Sequence, residues 1–417
     1  MVDYASLRKF WQPALKVLTG AGIAQIVPIL SNIFLAVAIG AAQFGYFSLW
    51  LGMVYLGAVF STLRLENALF IEAQGAAREK SLIAVVQIVF LTALGAALVL
   101  GALAVIGPEV LPDISGRLLS VLIPAAALLG LNAIAQAFVV SNGAYDLVNK
   151  FRILQAVAVA LTQCILVLQT PTAMSMALGF LLGQAVCLVY VVRQLRSSIL
   201  GKAGYDSPVH FIRTHWRFPV FSLPADSLSS FGALLPVALI GSQYGAASAG
   251  QVALTIRVLA APVGLLGKAI QDVFKREAVL EREQRGSCER LYFTILLGAF
   301  PVMVLFVVTL HYFGPAGFLL LFGDEWRQAG EMSKSLAPVF ALSLVASPLS
   351  YIVYLVNRQH IDLVWQAALV GLVWFSLTQF PGLEQSIHAY ALAYVSMYVV
   401  YLLISYKLCE MPKVEAN

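Results

Sequence analysis

Apolar residues in this chain run in long, nearly unbroken stretches instead of alternating with polar ones, and short polar interruptions separate one stretch from the next. About 20 consecutive apolar residues cross a bilayer core as a helix. By that measure the pattern predicts about twelve spans: 14–38, 46–71, 82–106, 118–140, 153–170, 174–193, 218–240, 249–274, 290–312, 334–356, 364–380 and 387–407. Almost no chain remains for a soluble domain, so the expected fold is an all-α polytopic membrane protein. Arg8 and Lys9 precede the first apolar stretch as they would in a signal peptide. That stretch is too long for a signal core and carries Gln25, Pro28 and Asn32, so it reads as a retained first span.

Composition agrees. The 417 residues are 60% hydrophobic and 11% charged, with a mean hydropathy of +0.86, which excludes an ordinary soluble domain. Charge adds an orientation. With the N-terminus inside, 20 of the 26 Lys and Arg fall in the termini and even-numbered loops. Arg117, Arg327 and Lys334 fall outside, and Arg64, Arg257 and Lys268 lie within spans. This asymmetry predicts cytoplasmic termini. The basic connections 78–80, 146–152, 193–217 and 275–290 then meet anionic membrane lipids as partners, and nothing points to nucleic acid. Cys164, Cys187, Cys288 and Cys409 form no disulfide framework and no metal-ligand spacing, so neither metal nor cofactor is expected.

Internal repetition gives the domain organisation. "IGAAQFGYFS" (39–48) aligns with "IGSQYGAAS" (240–248) after one gap, and "NGAYDLV" (142–148) echoes "NRQHIDLV" (357–364). Together these relate span 1 to span 7 and span 4 to span 10. An even offset keeps both halves in the same orientation, related by an axis along the membrane normal, as in transporters that bind substrate between halves. The expected parts are a six-helix bundle over 1–193, a cytoplasmic basic linker over 194–217 and a second six-helix bundle over 218–417.

Polar residues inside spans are the candidate chemistry. In span 8, Gly250, Ala253, Arg257, Ala261, Gly264 and Lys268 share one face of small side chains and two cations. Arg257 falls near mid-membrane, where a charge needs a partner or a wet cavity. Lys268 lies near the cytoplasmic boundary, where it either snorkels, pairs with Asp272 or lines a cavity. Span 7 holds Asp226 among Pro219, Pro224 and Pro236, which predispose that helix to break. Asp226 reads as an ion-coupling site or as the ion-pair partner of Arg257. Gln25 and Asn32 on span 1, and Asn132, Gln136, Gln163 and Gln184 on spans 4 to 6, either bond a ligand or join helices. In span 2, Arg64 shares its face with Gly57, Ser61, Asn67 and Ala68, while Glu66 points elsewhere on a continuous helix and is not expected to pair with it.

The stretches "IGAAQFGYFSLW" (39–50), "TLRLENALF" (62–70), "ALTIRVLAAPVGLLGKAIQDVFKREA" (253–278) and "LLFGDEWRQAGEMSKSLAP" (320–338) resemble the polysaccharide biosynthesis, or Wzx-type oligosaccharide flippase, family. That family shares a superfamily with multidrug extruders and a peptidoglycan lipid flippase. The resemblance covers nearly the whole chain and implies a MATE-like pair of six-helix bundles in a bacterial inner membrane. It implies a flippase, not an enzyme, that moves undecaprenyl-diphosphate-linked oligosaccharide from the inner to the outer leaflet. A polysaccharide polymerase and export machinery would be its partners. Arg64, Arg257 and Lys268 would hold the diphosphate, and Gln25, Asn32 and Asn132 would meet sugar hydroxyls. Relatives often carry an arginine and a proline near the end of span 1, where this chain has Val37 and Ala41. On its own, "FGDEW" reads as a glycine turn with an interfacial Trp326.

Two other functions fit less of the chain. A cation-coupled multidrug antiporter calls for an acidic cavity, whereas the leading candidates here are arginines. A polytopic glycosyltransferase or polymerase calls for a large extracytoplasmic loop, and the longest here is 313–333. "GLLGKA" (264–269) lacks the spacing and hydroxyl residue of a phosphate-binding loop, so energy must come from a gradient or membrane potential.

Overall fold

The computed structural model describes residues 4–106, 116–195, 207–356 and 358–410, with backbone alone for 4–26, 104–106, 145, 272, 276 and 359. Its helices are α1 (Tyr4–Thr62), α2 (Ala76–Ile106), α3 (Gly116–Ser120), α4 (Leu122–Ser141), α5 (Tyr145–Gln169), α6 (Ala173–Gln194) and α7 (Pro208–Thr214). There follow α8 (Leu223–Tyr244), α9 (Ala246–Arg285), α10 (Glu289–Phe322), α11 (Arg327–Leu349), α12 (Tyr351–Leu355), α13 (Gln359–Thr378) and α14 (Leu383–Glu410). Among the described residues, 11 helices are long and apolar enough to cross a membrane. The chain is thus an all-helical, multi-pass membrane protein.

The difference between 11 and about twelve lies in α1. Its 59 residues, at roughly 1.5 Å each, far exceed a bilayer core of about 30 Å. Gly40 divides it, with φ 74° and ψ 169°, a region that a Cβ excludes. Two spans are therefore joined through a single glycine. Gly245 repeats this conformation between α8 and α9 (φ 86°, ψ 167°), and Gly323 repeats it after α10 (φ 89°, ψ 179°). Matched by backbone, "GAAQFG" (40–45) aligns with "GAASAG" (245–250) without the gap that the sequence comparison required. The second echo also holds locally, since Asp146 and Asp362 each stand in the first turn of a helix, where a carboxylate complements the helix dipole. Asn357 lies outside the described residues.

By compactness the chain forms two units, Leu30–Leu234 and Leu235–Asn417 with the first 29 residues. These limits fall inside α1 and α8, whereas the sequence places its division in 194–217. In the first unit α5 and α6 pack backbone to backbone, because a Cβ on Gly179 would stand 2.5 Å from Gln163 Cα and one on Gly183 2.5 Å from Val159 Cα. The described end of the linker, 207–217, packs against the rest of the first unit. Phe211 of α7 is fully buried with Leu69, Val85, Ile134 and Phe138, and His215 Nε2 lies 2.7 Å from Glu72 Oε1. Arg78, expected to meet lipid head groups, is instead buried and donates to the carbonyls of Ser141 (2.6 Å) and Glu72 (2.8 Å). It ties the start of α2 to the end of α4.

In the second unit, Phe274, Tyr292, Ile295, Val345 and Leu349 form a core between α9, α10 and α11. The stretch 275–290 is not a loop, because α9 continues to Arg285 and only Gly286 to Cys288 turn. Cys288 meets Cys409 across that turn, sulfur to sulfur at 3.0 Å with both thiols free and buried. The hydrogen bond with Cys409 holds the Cys288 thiol below its usual range. Trp326 is not interfacial but fully buried beside Phe322, because the segment 313–322 extends α10 and closes over it.

Gly245 has open space where a methyl group would be added, so its backbone angle alone resists substitution. Gly245→Ala is expected to destabilise by about 1–3 kcal/mol, read as a lower unfolding temperature in detergent. Gly264→Ala, also in open space but helical, should leave it unchanged or raise it.

Candidate functional site

The site begins where α1 stops. Leu63 (φ 50°) and Arg64 (φ 60°) are both left-handed, the only non-glycine residues so placed among those described. Each such conformation costs about 1–3 kcal/mol unless its surroundings hold it. Here the Thr62 hydroxyl accepts from the Arg64 amide at 3.2 Å, and the Thr92 hydroxyl of α2 donates to the Ser61 carbonyl at 2.8 Å. A 3-10 segment, Leu65–Phe70, follows, with Leu65, Ala68 and Leu69 buried against α2 and α4. The continuous second span expected over 46–71 therefore ends at Thr62.

That break corrects the expectation for Glu66. On a straight helix, positions two apart point to different sides, but the reversal at 63–64 turns Arg64 back across the segment. Arg64 Nη1 donates to Glu66 Oε1 at 2.8 Å. Arg64 Nε also lies 2.6 Å from Asp226 Oδ2, as an ion pair whose N–H is not aligned for a hydrogen bond. Asp226 stands in the first turn of α8, just after a π-helical turn over Phe218–Ser222 that contains Pro219. The proline-rich helix does depart from α geometry where the sequence suggested. A partner of Asp226 is thus Arg64.

Burial separates the two carboxylates. The Glu66 side chain is 8% exposed and that of Asp226 41%, with Arg64 at 29% between them. Glu66 is thus the shielded counter-ion of Arg64 and Asp226 the more exposed one. One guanidinium faces two carboxylates, so the ionised cluster sums to one negative charge. Glu66 Oε2 and Ser227 Oγ are buried without a hydrogen-bond partner, leaving capacity for a water or an ion.

The remaining candidates are placed as follows. Along the small-residue face of α9, Gly250 and Ala253 are buried, Arg257 and Ala261 half-buried, and Gly264 and Lys268 exposed. The Asp272 side chain, a suggested partner of Lys268, lies outside the described residues, as does that of Gln25. Asn32 is half-buried on α1. Asn132 is fully buried, and its amide donates to the Gln184 carbonyl (3.0 Å) and to Gln184 Oε1 (2.7 Å). Gln155 donates to the same oxygen at 2.7 Å and accepts from Gln136 at 3.3 Å. This amide chain joins α4, α5 and α6, the helix-joining one of the two roles left open for Asn132. Among the described residues no cluster of three or more His, Cys, Asp or Glu could hold a metal.

Comparisons with known proteins agree with this architecture. A family model described as a polysaccharide biosynthesis protein matches residues 34–331. No curated protein sequence matches the chain. Among solved structures, the lipid II flippase MurJ in an inward closed conformation is similar, with a TM-score of 0.75 and 14% identity, over 94% of this chain and 87% of that one. The MATE multidrug transporter DinF-BH gives 0.65 and 15%, over 96% and 95%. An outward-facing multidrug resistance MATE family transporter of the MOP superfamily gives 0.61 and 12%, over 96% and 95%. At these identities the likeness is one of fold.

Removing one partner of the cluster strands another. Arg64→Ala should cost about 1–3 kcal/mol by leaving Glu66 buried and unpaired, whereas Arg64→Ala with Glu66→Ala should cost less than the two single losses summed. Thermal unfolding of the four proteins measures this coupling, and additive losses would mean that there is none.

Proposed function

The chain belongs to the polysaccharide biosynthesis protein family, and from that premise we propose that it is a flippase for polyprenyl-diphosphate-linked oligosaccharide repeat units. It moves them from the inner to the outer leaflet of a bacterial inner membrane, with both termini in the cytoplasm, for O-antigen, capsule or exopolysaccharide synthesis. The observation that carries the reading is the family match across 34–331. A fold like that of a lipid II flippase supports it.

In this reading the substrate's diphosphate is the chemical handle. Arg64 offers a planar donor fork suited to phosphate oxygens, pre-set by Glu66 and paired with the exposed Asp226. Protonation of Asp226, or a cation bound to it, releases Arg64 for the diphosphate. Substrate departure returns Asp226 to the guanidinium. Coupling then needs no metal or cofactor, because one carboxylate and one diphosphate compete for one guanidinium. Arg257 supplies a second cation, and the exposed Lys268 a third. Asn32 and Gln25 are assigned to sugar hydroxyls.

One observation favours a second reading. The cluster around Arg64 holds two carboxylates against one guanidinium, which suits a cation-coupled multidrug antiporter. Deleting the gene separates the two readings. A polyprenyl-linked glycan accumulating in the inner leaflet supports the flippase, whereas normal glycan export with greater sensitivity to cationic drugs supports the antiporter.

Arg64→Ala and Arg257→Ala are each expected to reduce delivery of lipid-linked oligosaccharide to the outer leaflet at least tenfold, with the protein still in the membrane. Normal export by both would remove the diphosphate assignment. Asp226→Asn should change the dependence of transport on pH or sodium, measured as initial rates in proteoliposomes. An unchanged dependence would leave Asp226 a structural ion-pair partner.

A further inference from the structure

A second polar site lies within the unit 235–417. The starts of α9, α11 and α14 meet α10 around a cleft of about 780 Å³, within the roughly 300–1,000 Å³ typical of small-ligand sites. The basic-residue asymmetry puts this end of the helices outside the cytoplasm. Two cations line the cleft and both are engaged, Arg327 with Asp324 at 2.9 Å and Lys334 with Glu331 at 2.8 Å. Glu325, Glu331 and Glu384 outnumber them, so the cleft does not favour a diphosphate.

What it offers is uncommitted hydrogen-bonding capacity beside an aliphatic surface. The side chains of His311, Gln328 and Glu384 are exposed and make no hydrogen bond or ion pair among the described residues. Ser335 and His388 bond each other at 3.0 Å on the same wall. Half-buried Leu383, backed by Met332 and Ile387, gives an apolar floor. Carboxylate, amide and imidazole groups bond hydroxyls, and an aliphatic floor covers the C–H face of a pyranose ring. No Phe, Tyr or Trp lines the cleft, which disfavours a flat organic cation.

We propose that this cleft is a carbohydrate-binding subsite that holds the glycan portion of the lipid-linked substrate at the extracytoplasmic end of the second bundle. The inference rests on the flippase reading above. It adds sugar contacts at Gln328, Glu384 and His311 to those assigned to Asn32 and Gln25.

The test compares two probes on the purified full-length protein, undecaprenyl diphosphate and undecaprenyl-diphosphate-linked glycan extracted from the gene-deletion strain. Native mass spectrometry reads the binding of each. The wild type should bind the glycan lipid at least fivefold more tightly than the bare diphosphate lipid. Gln328→Ala with Glu384→Ala should cut that gain at least twofold and leave the bare lipid unchanged, whereas Arg64→Ala should weaken both. The subsite is overturned if the double variant keeps the gain, if it weakens both probes alike, or if the wild type shows no gain. Binding of neither probe by the wild type would instead sink the flippase reading itself.

Discussion

A guanidinium that closes a broken helix is the constraint on which the first unit depends. Once α1 ends at Thr62, the backbone groups and the strain of two left-handed residues must be offset within a few residues. Thr62, Thr92 and the packing of Leu65 and Leu69 do part of this, and Arg64 does the rest by reaching Glu66 and Asp226. The break in turn lets the chain fold back as a buried 3-10 segment against α2 and α4. Strain, charge and packing are here one arrangement, and a change in any of them alters the other two.

The charge balance of that arrangement bears on transport. A fully neutralised arginine would hold a diphosphate weakly, and a bare one would be costly to keep at this depth. An arginine with one buried and one exposed carboxylate sits between these cases. In the proposed function its hold on an outside anion is set more by the exposed carboxylate, Asp226, than by the buried Glu66. Such an asymmetric pair of counter-ions is what the proposed coupling of substrate to an ion would use.

Much of this was legible in the sequence. Apolar run lengths gave nearly every span, because lipid imposes a helix wherever backbone groups have no water to bond. Arg64, Asp226 and Arg257 stood out because charge inside such runs is rare. What escaped was local and conformational. Leu63 and Arg64 carry no turn signature, so the break after Thr62 has no compositional trace, and the Arg64–Glu66 pair follows only from that break. The Arg64–Asp226 pair joins residues far apart in the chain, and the Cys288–Cys409 contact is a second such meeting. His311, Glu384 and His388 carry no signal in the sequence because each falls at the edge of a span, where polar residues are ordinary. The gap in the repeat alignment arose from matching the wrong glycines, since letters alone do not tell a helical glycine from one with positive φ.

The glycine turns have a further consequence. Gly40, Gly245 and Gly323 each reverse the chain within a residue or so, and each follows an odd-numbered span of the sequence pattern. At such a turn the chain presents helix termini, with little loop to bend or reorder. Whatever docks there meets a face whose geometry is set by the packing of the helices beneath it, so a movement inside the membrane is displayed at the surface without the slack that a longer connection would introduce.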